Sequence, residues 1–368
     1  MVPRGVLKRI DILLVFAVFA LAGTGLLMLY SLSAPAAGEE GKVLFYQQSV
    51  WVLFAVGVMA GCLILDFRFW GQISWILYLV NIVLLIALLL FAEKTHGAGS
   101  WFQLGRVKVQ PSEFAKLLFV VTFADFLARR ERERDFRLLI PGVLHFLVPF
   151  GLILLQPDFG TALIFVFIFF GMMYAAGMDG LKLVATATGM VSAGLLCAPF
   201  IVKGYQMRRI LAFLDPGDDA RGGGYQLIQS KIAIGSGHIF GNGIFGGSQA
   251  ALGFLPASRT DFMFATLCEK TGLLGGAVVL LLFAVLLYRM VRIASAAEHV
   301  FGTYIAVGVM TMIASQAAVN MAMTVGFFPV TGIPLPFVSY GGSSLITNFA
   351  AVGLVLNVCI RRRKIGFM

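Results

Sequence analysis

The sequence predicts an all-α polytopic membrane protein with ten transmembrane helices, a long outer-face loop and both termini cytoplasmic. Three observations carry this. Of the 368 residues, 59% are hydrophobic and 12% charged, about half the roughly 25% charged fraction of soluble domains. Apolar runs close to the ~20 residues of a bilayer-spanning helix recur along the whole chain. Basic residues gather in alternate short connections between those runs. Too little polar surface remains to cover a globule in water.

The expected spans are 11–31, 45–65, 73–92, 112–128, 138–155, 159–176, 183–202, 262–288, 300–323 and 342–360. The first follows Arg4, Lys8 and Arg9 and precedes Ala34-Pro35-Ala36, the layout of a cleavable signal. Its apolar core, Ile12 to Tyr30, exceeds the roughly 7–15 residues of a signal core, so it is expected to stay as an anchor. Placing the N-terminus inside also puts Arg129, Arg130, Arg132, Arg134 and Arg137 inside, with the tail Arg361-Arg362-Arg363-Lys364. Every dense basic cluster then obeys the positive-inside rule. The segment 203–261 becomes the long outer loop, too apolar for a plain connection. Within it, Tyr225 to Ile234 has one apolar helical face and reads as an interfacial or re-entrant helix.

The net charge of +10 does not indicate nucleic acid, because the charges sit in short loops where they set orientation. The remaining basic residues are informative. Arg106 and Lys108 lie in the outer loop 93–111, and Arg208, Arg209, Lys231 and Arg259 lie in 203–261. Positive charge on that side opposes the orientation signal, and an anionic ligand explains it; solvated loop charges are the alternative. Cys62, Cys197, Cys268 and Cys359 form no C-x-x-C pair, and the four histidines show no ligand spacing, so neither zinc site nor disulfide framework is expected. The Gly-rich stretches lack the order of a phosphate loop. No nucleotide is expected, so a substrate must arrive already activated.

Four places can carry chemistry. Asp261, at the mouth of the eighth span, reads either as a helix N-cap or as a general base beside an apolar groove. Glu113 and Lys116 are three residues apart on one helical face, either a structural ion pair or part of a site, with Ser112 as a cap after Pro111. Trp101 reads as an interface anchor or a ligand contact. Pro329 to Ser344 holds three prolines and Gly341-Gly342, which favours a rigid loop. Its Ser339 and Tyr340 hydroxyls could meet a polar ligand, and a re-entrant pore loop is the other reading.

The stretch Pro329-Val330-Thr331-Gly332-Ile333-Pro334-Leu335-Pro336-Phe337-Val338-Ser339-Tyr340-Gly341-Gly342-Ser343-Ser344 is similar to the signature of the SEDS family (shape, elongation, division and sporulation). So are Gln110 to Lys116 and Leu255-Pro256 with Thr260-Asp261-Phe262. Tyr225 to Gly237 and Ile333-Pro334-Leu335-Pro336 resemble the RodA branch more than the FtsW branch. The likeness runs along essentially the whole chain; Ala257-Ser258 departs from the charged residues common after Leu-Pro.

The resemblance implies a peptidoglycan glycosyltransferase polymerising lipid II on the outer face of the bacterial cytoplasmic membrane. It implies a class B penicillin-binding transpeptidase as partner, within the elongation machinery and its other membrane proteins. The family's essential aspartate falls on Asp261, and its acidic–basic pair on Glu113 and Lys116. Lys116, Arg208 and Arg209, with Arg106 and Lys231, are then expected to neutralise the substrate diphosphate. A divalent cation, Mg or Mn, is expected with Asp261 or Glu113 as its ligand. The rival readings are a lipid II flippase and a noncatalytic scaffold for a transpeptidase. A flippase should carry charges at the midplane and inner leaflet too.

Overall fold

The computed structural model describes residues 9–32, 38–91, 93–95, 98–104, 107–133, 135–201, 207, 211–217, 222–247, 249–250 and 252–361. Helix α1 (Ile12–Ser31) starts where the Asp11 carboxylate accepts the Leu14 N–H at 3.1 Å. Leu14, Ala17, Val18, Leu21, Gly25 and Met28 recur at helical spacing and are buried, while Ile12, Phe16 and Phe19 face outward. Such an apolar outer face suits lipid rather than water.

Helix α2 (Gly38–Ile64) begins ahead of the expected span, and the short α3 (Phe67–Gln72) turns the chain into α4 (Ser74–Phe91). Next come α5 (Pro111–Arg129), α6 (Phe136–Leu155), α7 (Phe159–Ala175) and α8 (Gly180–Ile201). A helix, α9 (Gly223–Ser236), is present where an interfacial or re-entrant one is expected around 225–234. Three long helices close the fold: α10 (Met263–Ser295), α11 (Val300–Val325) and α12 (Gly342–Ile360). Helix α12 is buried almost all round, as a helix apolar on every side must be.

Seven of these, α1, α2, α4, α6, α10, α11 and α12, are long and apolar enough to cross a bilayer. The other three expected spans coincide with α5, α7 and α8. Helix α5 carries Glu113, Lys116, Asp125 and Arg129, and α7 has 17 residues.

Two expectations need correction. The expected all-α class leaves out strands that lie within the outer segment 93–111. Strands β1 (Glu93–Thr95), β2 (Ala98–Leu104) and β3 (Val107–Val109) form an antiparallel meander pairing Thr95 with Ala98 and Leu104 with Val107. The fold is therefore helical with one small sheet. The eighth span is not continuous either: Gly272 breaks α10 with φ 67°, a conformation glycine adopts without steric cost.

The interior between α5, α6 and α7 is filled by aromatic rings. Phe119 stacks on Phe123 and Phe165 with centroids 5.2 and 5.0 Å away, and Phe146 lies 4.8 Å from Phe169. His145 sits among them against Tyr78, Phe123 and Phe126. At one end of the bundle, ion pairs clasp the helices: Arg289 holds Asp11 through three hydrogen bonds and Arg361 holds Asp66 at 3.2 Å, while Arg129, paired with Asp125 within α5 at 2.8 Å, donates to the Gly71 carbonyl at 3.3 Å. The functional residues gather at the opposite end.

Candidate active site

Asp261 lies in a short turn directly before α10. The N-cap position of that helix is Phe262, so Asp261 is not its cap. Asn320 of α11 fixes this turn. Its side-chain amide donates to the Asp261 carbonyl at 2.8 Å and to the Ile333 carbonyl at 2.7 Å. One buried amide thus ties the aspartate's backbone to the proline-rich loop. Ser339 adds a second tie, donating to the Thr260 carbonyl at 2.6 Å while accepting the Leu335 N–H at 2.9 Å. The Tyr340 N–H donates to the Arg259 carbonyl at 2.9 Å.

The loop meets the carboxylate at Gly332. Its φ is 74°, and a methyl group there would stand 3.6 Å from Asp261 Oδ2. A side chain on residue 332 would therefore meet the carboxylate at ordinary contact distance, and its positive φ would strain any residue but glycine. Phe337 takes a positive φ of 66° while buried, strain that persists only where surrounding packing enforces it. Gly25 of α1 supplies part of that packing, since a methyl group there would come within 2.3 Å of the Val338 carbonyl oxygen.

Ser339 is buried, and its hydroxyl accepts within the loop and donates to the Asp261 turn, so it braces the two together in this state. Tyr340 is half-buried. Its hydroxyl donates to Gln47 Oε1 at 2.8 Å, and burial pushes its phenol above the usual range. It stays a neutral donor at physiological pH. Gln48 of α2 completes the frame, donating to the Ser339 carbonyl and accepting from the Gly341 N–H, both at 3.3 Å.

Lys116 donates to Glu113 Oε1 at 2.7 Å, with 1% and 3% of the two residues exposed. Glu113 Oε2 is buried with no hydrogen-bond partner among the described residues. Burial keeps Lys116 from touching a ligand directly in this state, contrary to its expected contact with diphosphate. The same ammonium also makes Glu113 a poor ligand for a divalent cation, which it would repel. A single carboxylate such as Asp261 suits Mg²⁺ better, because that ion commonly takes its other ligands from water and substrate phosphates.

Ser112 does not cap α5; the cap position is Gln110, without a side-chain cap bond. The Ser112 hydroxyl donates instead to Asp158 Oδ2 at 3.2 Å, as does Gln110 Nε2 at 3.3 Å. Asp158 also accepts the Thr161 N–H at 3.0 Å and the Thr161 hydroxyl at 2.9 Å, capping α7. The start of α7 supports the proline-rich loop, for a methyl group on Gly160 would stand 2.8 Å from the Thr331 carbonyl oxygen. Replacing Asp158 with alanine should lower the melting temperature in detergent, with cap loss alone worth about 1 kcal/mol; Asp158→Asn should retain most of that stability.

Lys231 lies on α9 with its stem across Gly326, where a methyl group would stand 2.7 Å from Nζ. Its charge sits at the C-terminal end of α11, where the helix dipole welcomes a cation. The neighbouring Ser230 hydroxyl donates to the Thr324 carbonyl at 2.7 Å. Arg106, Arg208 and Arg209 lie outside the described residues. Trp101 is on β2, and its side chain is likewise outside them.

Asp158 and Asn320 are contributors that sequence reading missed. Asp158 had a signal, a cap-type residue directly before an apolar run. Asn320 had another, a polar residue inside an apolar run.

The family profile described as "Cell cycle protein", covering FtsW, RodA and SpoVE, matches residues 12–364. Stage V sporulation protein E of Bacillus subtilis is 37% identical over 355 residues, covering 95% of this chain and 96% of that protein. A probable peptidoglycan glycosyltransferase FtsW of Trichlorobacter lovleyi is 36% identical, covering 96% and 93%. Among solved structures, rod shape determining protein RodA of Thermus thermophilus superposes with a TM-score of 0.70 at 29% identity, covering 96% and 98%. A chain from a structure described as "Structural coordination of polymerization and crosslinking by a peptidoglycan synthase complex" reaches 0.77 at 30% identity, covering 95% and 97%. The signature loop, the aspartate beneath it and the apolar bundle thus belong to one lineage: this chain is an integral membrane protein of the FtsW/RodA/SpoVE family, the SEDS proteins.

Proposed function

We propose that the chain is a peptidoglycan glycosyltransferase that polymerises lipid II, the undecaprenyl-diphosphate-linked disaccharide pentapeptide, on the outer face of the bacterial cytoplasmic membrane. The observation that carries this is the Asp261 carboxylate, facing the side-chain-free position Gly332 from a turn that Asn320 and Ser339 lock to the proline-rich loop. In this reading the chain crosses the membrane ten times with both termini cytoplasmic, and the Asp261 end faces outward.

Asp261 acts as general base. It takes the proton from the 4-hydroxyl of the acceptor sugar as that oxygen attacks the donor's anomeric carbon. The bond from that carbon to the diphosphate breaks, and undecaprenyl diphosphate leaves with the electron pair. Displacement from an α-diphosphate inverts the anomeric carbon to a β-1,4 linkage. Because the leaving group is already good, one carboxylate suffices where a glycosidase needs two. Arg208, Arg209 and Arg106 neutralise the diphosphate, with Lys231 near the same end. A bound Mg²⁺ or Mn²⁺ would share that neutralisation, held by diphosphate oxygens and Asp261. Lys116 acts indirectly, through Glu113 and the start of α5.

The filled aromatic interior and the clasped opposite end argue against a headgroup path across the bundle, which a lipid II flippase needs. A class B penicillin-binding transpeptidase is the proposed partner, and the Ile333-Pro334-Leu335-Pro336 stretch favours the elongation machinery. Relatives named FtsW and stage V sporulation protein E, at 36% and 37% identity, favour septal or spore synthesis as the second reading. The activity is tested with purified protein, its transpeptidase, labelled lipid II and a divalent cation. A glycan ladder is expected. Translocation of fluorescent lipid II in vesicles without any ladder would instead support the flippase.

A further inference from the structure

Glu269 and Lys270 are buried near the start of α10, each 1% exposed, yet the mechanism above uses neither. They lie eight and nine positions beyond Asp261. Burying two ionisable groups is costly unless they are bonded, so what they hold is informative. Glu269 Oε1 accepts the Gln249 N–H at 2.7 Å and Oε2 accepts the Ala250 N–H at 3.1 Å. Lys270 Nζ donates to the carbonyls of Ile244 and Gly246 at 3.0 and 3.1 Å. Thr266, on the same helical face, donates to the Ser258 carbonyl at 3.0 Å. Positions i, i+3 and i+4 share a face, so one edge of α10 grips the backbone from 244 to 258. That backbone runs directly into the turn bearing Asp261.

The glycines fit this grip. A methyl group on Gly247 would stand 2.7 Å from Glu269 Cδ, and one on Gly241 would stand 2.2 Å from the Lys270 carbonyl oxygen. The backbone also pairs across: the Asn242 and Gly243 N–H groups donate to the Glu269 and Lys270 carbonyls at 3.0 and 3.1 Å. Gln249 then accepts the Leu255 N–H at 2.9 Å on its own carbonyl. The segment is therefore fixed at several points before it reaches the aspartate.

We propose that Glu269 and Lys270 are positioning residues for glycosyl transfer: their buried side chains shape the 244–258 backbone that delivers Asp261 to the acceptor hydroxyl. This rests on Asp261 being the general base. Neither group touches substrate. The carboxylate orients two backbone donors and the ammonium two backbone acceptors, so loss of either loosens one run of the loop.

The test uses the full chain with its transpeptidase and lipid II. Glu269→Ala should lower kcat by about 100-fold, the scale of a misplaced catalytic group, with KM little changed. Glu269→Gln keeps one carbonyl acceptor and should fall between the two. Lys270→Met should lower kcat in the same way. Hydrogen exchange should show the amides of Gln249 and Ala250 losing protection while α11 and α12 keep theirs. A folded Glu269→Ala protein with wild-type kcat, beside an inactive Asp261→Asn protein, overturns the positioning role alone. If Asp261→Asn polymerises normally, the base assignment fails, and this inference with it. Loss of protection throughout the bundle would reduce Glu269 to a general stabiliser. Should Glu269→Ala not fold, Glu269→Gln decides by the same two readouts.

Discussion

Asp261→Asn should abolish glycan polymerisation while leaving the fold intact. The amide keeps the shape of the carboxylate but cannot take the acceptor's proton, and a positioned base contributes about 10²–10⁴ in rate. The turn holding residue 261 depends on the Asn320 amide and the Ser339 hydroxyl, and both bond to main-chain carbonyls. Neither tie needs the Asp261 side chain. Asp261→Asn should therefore melt close to wild type and still associate with the transpeptidase. Gel-resolved products from labelled lipid II, run beside a thermal unfolding curve, check both halves. Normal glycan ladders would remove Asp261 from the chemistry.

The second large effect is expected at the pair beneath the loop. Lys116→Met leaves the Glu113 carboxylate buried without its ammonium, and breaking a buried pair from one side costs about 3–5 kcal/mol. The single variant should lose melting temperature or fail to accumulate. Glu113→Gln combined with Lys116→Met removes both charges, and such replacements are often neutral. The double variant should recover stability. It should not recover polymerisation, because Glu113 Oε2 is a buried acceptor with no hydrogen-bond partner among the described residues. Unsatisfied acceptors of that kind need a reason, and a ligand or water arriving during turnover supplies one. A stable double variant with normal activity would make the pair purely architectural.

Much of this architecture was readable from residue order, because burial in a bilayer writes itself into long apolar runs. All ten expected spans coincide with helices, and the Tyr225–Ile234 pattern marks α9. What escaped has identifiable physical causes. Strands of three, seven and three residues between 93 and 109 are too short for alternation to stand out. Gly272 looked like any glycine in an apolar helix, since nothing local reveals a positive φ. Asp158 reads locally as a cap, whereas its ties to Gln110 and Ser112 bridge 48 and 46 positions. Lys116 looked available to an anion because sequence spacing places it on a face without saying how deep that face is buried. Ser339 reads as a free hydroxyl for the same reason; only the packed structure shows its bonds to Leu335 and Thr260.

The break at Gly272 also bears on how the chain is made. Beyond it, 273–295 is an apolar helix about 34 Å long at about 1.5 Å per residue, enough to match a hydrocarbon core about 30 Å thick. The Leu273 and Leu274 N–H groups, which a continuous helix would bond internally, donate to the His238 and Ile239 carbonyls at 2.9 and 3.2 Å. The insertion machinery can therefore recognise 273–295 as an ordinary span during synthesis, with Glu269 and Lys270 excluded from its sorting decision. The stub 263–271 would dock afterwards onto a membrane-embedded scaffold, together with 237–250. In that order of events the turn bearing Asp261 would assemble late, separably in time from integration into the bilayer.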